Sequence, residues 1–461
     1  MSSEQQSRID ALPAHLRQAL RQRLGGSAPA APVADRIPPA PPGVPLPLSF
    51  SQQRLWFLDR FQPGGTDYNS ALALRLRGPL DHPALTRAIR ALATRHDALR
   101  TTFDDVDGAA IQVVHPVPDL DVPLTDTTED DLADLLDAGC TVPFDLRHGP
   151  LFRAALFRTA ADDHVLLLTA HHIVTDGWSM GLLVADLGAL YAAARTGTPS
   201  PLPEPGLRYA DFAVWQRRQA DGGTARRHTA YWAAQLAGLE PFDLPTDRPR
   251  PAVRTSHGAV HRFAVPAAVS ARLGELARAH DTTLFTVLTA ACTLLFSRYA
   301  GQDDVALGTV VSGRNRLFDV MVLLHDERRA GPALDGLRVD EVELSRRAAT
   351  VDVSVEFERR GTALSGFLEY NTDLFDAATI ERMTGHLLIL LDAVSARPAE
   401  PLTTVSMLGA GEREQVLAGG NASGADVPDG TFADLFEAQT DRTPDATALV
   451  CRDATLTYAE L

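Results

Sequence analysis

Short apolar runs of strand length alternate with longer stretches of helical period along most of this chain. That alternation restricts the fold to layered α/β or α+β architectures. From Leu48 to about Gln219 it predicts helices over 50–61, 81–96, 129–138 and 178–195, with strands over 71–77, 111–115, 151–158 and 164–170. A helix over 221–242 and the Pro-punctuated LPTDRPRP (244–251) follow. The pattern then resumes with helices over 267–279, 283–300 and 376–397, strands over 258–264 and 304–310, and a hairpin pair at 351–357 and 363–370. Two successive units of similar make-up predict two lobes, without a sequence repeat to relate them.

The chain has 461 residues, enough for two or three domains, and its 45% hydrophobic content supplies a full core. A net charge of −16 leaves no global positive field for nucleic acid. All 43 basic residues are Arg, which excludes a lysine Schiff base and a P-loop lysine. Cys140, Cys292 and Cys451 form neither a zinc spacing nor a disulfide framework, which favours a reducing cytoplasm. The N-terminus lacks the apolar core of a signal peptide, and the apolar stretch from Leu284 to Phe296 is too short to span a bilayer, so no membrane partner is expected.

The periphery is organised differently. Residues 1–24 hold a helical segment with Ile9, Leu12, Leu16, Leu20 and Leu24 at helical spacing, read equally as a docking element or a frayed end. Residues 25–46 are an Ala/Pro-rich linker, and 409–430 (GAGEREQVLAGGNASGADVPDG) a second one. Residues 431–461 begin something new.

The most chemical segment is DHVLLLTAHHIVTDGWSM (163–180). The run His164 to Ala170 has the length of a buried strand, and on a strand His171 and His172 point to opposite faces. Gly177 permits a tight turn, and the apolar helix starting at Trp178 packs the segment down. A histidine fixed at such a strand end is placed as a general base. A core histidine satisfied by a backbone carbonyl is the competing reading, and both stay open on pattern alone. A metal set of His171, His172 and Asp176 is weaker, because adjacent strand positions diverge.

HHIVTDG (171–177) resembles the HHxxxDG motif of nonribosomal peptide synthetase condensation domains. Four further stretches resemble that family's motifs in order: SFSQQRLWFLDRFQPGGTDYN (49–69), RHDALRTTF (95–103), YADFAVWQ (209–216) and FLEYNTDLFD (367–376). The tail, FADLFEAQTDRTPDATALVCRDATLTYAEL (432–461), resembles the first residues of an adenylation domain, too short for ATP chemistry.

The resemblance implies two chloramphenicol-acetyltransferase-like lobes in a V, here 47–220 and 221–408, with a tunnel between them. It implies amide-bond formation between a donor aminoacyl or peptidyl thioester and the amine of an acceptor aminoacyl thioester. Both would ride on phosphopantetheine arms of carrier proteins, the donor carrier arriving in trans, with an adenylation domain downstream and no cofactor bound by the domain itself. His172 would be the catalytic histidine, and Gly177 would offer a backbone N–H to the developing oxyanion. His171 would be structural, and Asp176 would hold the loop by pairing with Arg100 or, second, Arg314. Trp178, Tyr209 and Trp215 are expected to pack. The opening motif resembles the subtype joining an L-donor to an L-acceptor.

After LGTVVSGRNR (307–316) the family continues with a GFFVNT-like strand, a helix and an HQDxPFE-like motif, whereas here Arg316 runs directly into Leu317. The second lobe is therefore expected to be shortened at 316/317. That leaves a non-catalytic remnant or carrier-docking platform as the alternative. A free-standing CoA-dependent acyltransferase shares the histidine motif but does not explain the tail.

Overall fold

The computed structural model describes residues 37–117, 120–221, 223–240, 242–252, 255–309, 319–325, 333–344, 348–419, 430–451 and 454–461. The predicted helix at 8–24, most of the first linker, Arg314 and the 316/317 join lie outside the described residues. Two units divide at Val405/Ser406.

The first unit runs β1 (Leu46–Pro47), α1 (Phe50–Phe61), β2 (Asn69–Arg77), α2 (His82–Arg95), β3 (Thr101–Val106), β4 (Ala109–Val114), β5 (Leu124–Asp126), α3 (Glu129–Cys140), β6 (Phe152–Ala160), β7 (Asp163–His171) and α4 (Gly177–Thr196). It continues with α5 (Tyr209–Asp221), α6 (Thr224–Gln235), β8 (Gly258–Val265), α7 (Ala267–Ala279), α8 (Leu284–Ala300), β9 (Val320–His325), β10 (Arg338–Val342), β11 (Val353–Arg360), β12 (Ala363–Asn371) and α9 (Ala377–Ala396).

β7 is the centre of a five-stranded sheet ordered β10-β2-β7-β6-β5. It is buried from His164 to His171, and its centre, Val165–Leu168, is apolar because both of its faces are covered. Leu166, Leu168 and Ala170 join Leu85, Ile89 and Leu92 of α2 and Leu183, Leu187 and Tyr191 of α4 in the main core. The alternate residues Val165 and Leu167 pack with Leu132 and Leu136 of α3. Burying each such leucine is worth about 1.5–3 kcal/mol. Helix α4, whose mean hydropathy of 1.3 and length would suffice to cross a membrane, is thus a core helix of this lobe. β1, β4 and β3 form a small separate sheet.

The edge of the five-stranded sheet comes from far along the chain. β10 runs antiparallel to β2, with Arg338 opposite Arg77 and Val342 opposite Ala73. The segment before it straps over α4: Leu334 enters the first core, and Asp335 pairs with Arg195 at 2.8 Å. Gly188 of α4 permits the crossing, since a Cβ there would stand 2.3 Å from the carbonyl oxygen of Ala333. Arg77 reaches Asp340 on the new edge, and Arg75 binds Asp163 within the sheet and Glu129 at the start of α3.

The second sheet is ordered β8-β12-β11-β9, antiparallel except for β9 alongside β11. Helices α7, α8 and α9 contact one another beside it, and Phe263 meets Phe357 edge-on at 5.8 Å.

Two expectations are corrected. The helix predicted over 221–242 is shortened to α6, which starts after Gly223 (φ 85°) and ends at Gln235, and α5 before it has no counterpart among the predicted helices. The predicted strand at 304–310 is reduced, over its described residues, to a single bridge from Gly308 to Met321. In the second unit, α10 (Ala410–Glu414) lies within the predicted linker. α11 (Phe432–Arg442) starts with a Thr431/Asp434 capping box, and β13 (Thr447–Cys451) pairs with β14 (Ala454–Thr457).

Candidate active site

The sheet delivers the two histidines to its end, where β7 hands over to α4. His171 is the last ladder residue, opposite Asn69 of β2, and is only 4% exposed. Its backbone N–H donates to the Leu151 carbonyl at 3.0 Å, and its Nδ1 accepts the Ile173 N–H at 3.1 Å. Its ring lies between Tyr68 (6.4 Å between centroids) and Phe144 (6.2 Å, edge-on). Burial, with nearby His172 adding to it, pushes the His171 imidazole down to about 4, so the ring is neutral near neutral pH. The accepting Nδ1 places the ring proton on Nε2.

His172 is half-buried. Its backbone N–H donates to the Tyr68 carbonyl at 2.7 Å, while the next residue, Ile173, is a buried peg in a small core with Leu48, Leu55, Trp56 and Phe103. The chain on both sides of His172 is fixed, while its side chain keeps partial access to solvent. β7 ends at His171, so His172 lies in the turn beyond the strand rather than on its opposite face; the first histidine is buried and the second half-buried.

Asp176 is the N-cap of α4. Its Oδ1 accepts from the Ser179 N–H at 2.8 Å and the Ser179 hydroxyl at 2.6 Å. The expected pairing with Arg100 is not formed, because the Arg100 guanidinium is engaged by Asp97 and the His115 carbonyl. The competing candidate, Arg314, lies outside the described residues. A helix cap satisfies the loop from within and needs no distant arginine.

Gly177 is the first residue of α4, a position whose backbone N–H has no acceptor within the helix. Nothing lies within 4 Å of where a Cβ would be, so packing does not require glycine here. Trp178, expected to pack, is instead 73% exposed, because it sits on the first turn of α4 outside the stripe that enters the core. Tyr209 and Trp215 do flank Phe212, at 5.6 and 5.9 Å between centroids. The Tyr209 hydroxyl is 3.0 Å from Ser49 Oγ, and burial raises its pKa.

Sequence reasoning assigns no role to Tyr68 or Gln52, although both lie in the opening motif. The signal available is the spacing Ser49-x-x-Gln52, a capping-box pattern. The structure bears it out: both reciprocal bonds of the box are present. The thiols are poor alternatives as nucleophiles. Burial pushes Cys140 up to about 11, and Cys292 is fully buried. Among the described residues no group of three His, Cys, Asp or Glu is placed to hold a metal ion. A cavity of about 250 Å³ between Trp56, Asp59, Phe144 and Arg147 does not include His172.

Comparison with known proteins gives this geometry its context. The condensation-domain family model matches residues 45–321 and 315–417, two segments that meet around the join. Malpibaldin synthetase of Mortierella alpina is 34% identical over 499 residues, covering 92% of this chain and 9% of that protein. Phosphinothricin tripeptide synthetase PhsC of Streptomyces viridochromogenes is 35% identical over 539 residues, covering 99% of this chain and 49% of that protein. Both alignments exceed the 461 residues of this chain, so those relatives carry residues that it lacks. The chain spans less than two thirds of the length of either relative. Among solved structures, the X-domain from teicoplanin biosynthesis in complex with OxyB is 25% identical with a TM-score of 0.73, covering 81% of this chain and 98% of that one. The first condensation domain of the CDA synthetase shares the fold, with 19% identity and a TM-score of 0.64 over 80% of this chain and all of that one. The two sheets with their helices are therefore chloramphenicol-acetyltransferase-like, and the chain belongs to the condensation-domain family of nonribosomal peptide synthetases.

Proposed function

We propose that this chain forms an amide bond between two carrier-bound substrates, with His172 as its catalytic group. The observation that carries the reading is the fixed backbone around His172, set beside the open first turn of α4 at Gly177. The α-amine of an acceptor aminoacyl thioester attacks the donor thioester carbonyl. The C–N bond forms, the C–S bond breaks, and the donor thiol leaves on its phosphopantetheine arm, which belongs to the carrier and not to this domain. His172 orients the attacking amine or takes its proton. The Gly177 N–H, at the positive end of α4, faces the oxyanion. Asp176 keeps that helix start in place through Ser179. The opening motif favours an L-configured donor and acceptor, and residues 431–461 resemble the beginning of an adenylation domain, which would load the acceptor carrier.

The test is condensation of loaded donor and acceptor carriers, read by mass spectrometry of the dipeptidyl group on the acceptor carrier. Wild-type protein is expected to give product and His172→Ala none, while carrier binding persists. Product from His172→Ala would overturn the site.

A second reading, a carrier-docking platform without turnover, is favoured by the alignments longer than this chain and by the likeness to an X-domain whose structure is a complex with OxyB. It predicts that wild-type protein binds loaded carriers and forms no dipeptidyl group on the acceptor carrier.

A further inference from the structure

We infer that Gln52 is a positioning residue for His172, acting through the carbonyl of Ile173. The inference rests on the reading of His172 as the catalytic group. Gln52, on the first turn of α1, is only 3% exposed, and its amide is fully engaged. Oε1 accepts the Ser49 N–H at 3.0 Å. Nε2 donates to Gln112 Oε1 at 3.2 Å and to the Ile173 carbonyl at 3.4 Å. Gln112 Nε2 in turn donates to the Pro47 carbonyl at 2.7 Å.

The orientation of both amides follows from the backbone groups at the two ends. An N–H can only donate, so the Gln52 atom facing Ser49 is its oxygen. A carbonyl can only accept, so the Gln112 atom facing Pro47 is its nitrogen. The two side chains therefore form a relay of one polarity that starts at Ser49 and returns to Pro47. One N–H of Gln52 branches out of this closed path, and it goes to the carbonyl directly after His172.

The segment around His172 makes its other backbone bonds to Tyr68 and to His171, both at the β2–β7 end. Gln52 supplies a restraint from a different element, the small sheet and α1. Two restraints from independent directions fix a backbone where one leaves a hinge. A general base held within a fraction of an ångström needs that second direction.

Gln52→Glu separates this role from capping. A capping box works with Glu as well as Gln, so the Ser49 N–H keeps its acceptor. The carboxylate has no N–H, and it turns an oxygen toward both Gln112 Oε1 and the Ile173 carbonyl. The experiment is an NMR titration of ring-labelled histidines, with His172 assigned by the resonance missing in His172→Ala. Gln52→Glu is expected to move the His172 midpoint by about half a pH unit or more. The condensation kcat is expected to fall about tenfold or more, with KM for the carriers unchanged. Gln112→Leu, which removes one of the three bonds of the Gln52 amide without placing a charge, shifts the same resonance less and covers the case in which Gln52→Glu fails to fold. Thr128→Ala, which removes the cap of α3, lowers stability and leaves the His172 midpoint alone. Gln52→Glu and Gln112→Leu spectra with His172 at its wild-type position would overturn the inference. Absence of dipeptide from wild-type protein overturns the catalytic reading alone, since the ring titration still reports whether Gln52 places His172.

Discussion

The segment that carries His172 has a counterpart in the second lobe. β6, β7 and α4 on one side, and β11, β12 and α9 on the other, are both a strand hairpin, a five-residue turn and a helix of 20 residues. The hydrogen bonds at the strand ends also correspond. His171 N–H donates to the Leu151 carbonyl, and Asn371 N–H to that of Asp352. His172 N–H donates to the Tyr68 carbonyl, and Thr372 N–H to that of His257. The Ile173 N–H donates to His171 Nδ1 at 3.1 Å, and the Asp373 N–H to Asn371 Oδ1 at 2.8 Å. An Asp precedes each helix, Asp176 and Asp376. The comparison divides the histidine motif into frame and chemistry. His171 does what an asparagine does elsewhere: it offers an acceptor to the N–H two residues on. His172 stands where the other lobe has Thr372, so the frame alone does not require a base there.

The sharpest way to break the comparison is to make the lobes alike. His172→Thr places the second lobe's residue on the first lobe's frame. The condensation rate is expected to fall about 10²–10⁴-fold, with circular dichroism and melting temperature at wild-type values. If turnover survives, the frame and not the imidazole carries the reaction.

His171→Asn tests the other half. Below pH 6.5 the unfolded chain protonates this histidine, while the buried ring stays neutral down to about 4. The folded state of wild-type protein is therefore penalised progressively as pH falls from 6.5 toward 4, by about 2 kcal/mol already at pH 5. His171→Asn keeps the acceptor and removes the titration. Its denaturant-unfolding free energy is expected to lose about 2 kcal/mol less than wild type between pH 7 and pH 5. His171→Leu removes the acceptor as well, and costs about 1–3 kcal/mol at pH 7, where Asn does not.

Helix α4 and helix α9 differ where the strap crosses. Gly188 of α4 meets Ala333, and the matching residue of α9 is Leu388. Gly188→Leu drives a side chain into the strap, with an expected loss of about 1–3 kcal/mol in thermal unfolding and faster amide exchange along β10. The smallest effect separates the two caps. Asp176→Ala removes a bond to Ser179 and costs about 1 kcal/mol. Asp376 makes no side-chain cap bond and pairs with an exposed Arg248, so Asp376→Ala costs about half that or less in the same measurement.

The local elements were legible because their signals are local. β7 is built on the apolar run Val165–Leu168 covered on both faces, and β11 and β12 fall on the predicted hairpin. The two residues framing His172, Gln52 and Tyr68, lie inside the quoted opening motif. What sequence does not carry is competition among partners. Arg100 was available to Asp176 on charge alone, yet Asp97, three residues away, occupies it, and Ser179 satisfies Asp176 at shorter range. Likewise Trp178 is apolar, but a residue on the first turn of a helix need not share the face that the later turns bury. The similar make-up of the two units is legible, but their matching strand ends are not: the match lies in backbone N–H groups, for which Asn371 and His171 supply acceptors with unrelated side chains.

The strap has a consequence in time. On the ribosome β2 emerges early, and β7 can cover one of its edges as soon as the first hairpin closes. Its other edge faces β10, which cannot arrive until the second lobe's early helices α7 and α8 have been made. Through that interval the nascent first lobe exposes an open strand edge at Ala73–Arg77, the kind of edge that recruits stray strands. Completion of the first sheet is thereby tied to translation of the second half.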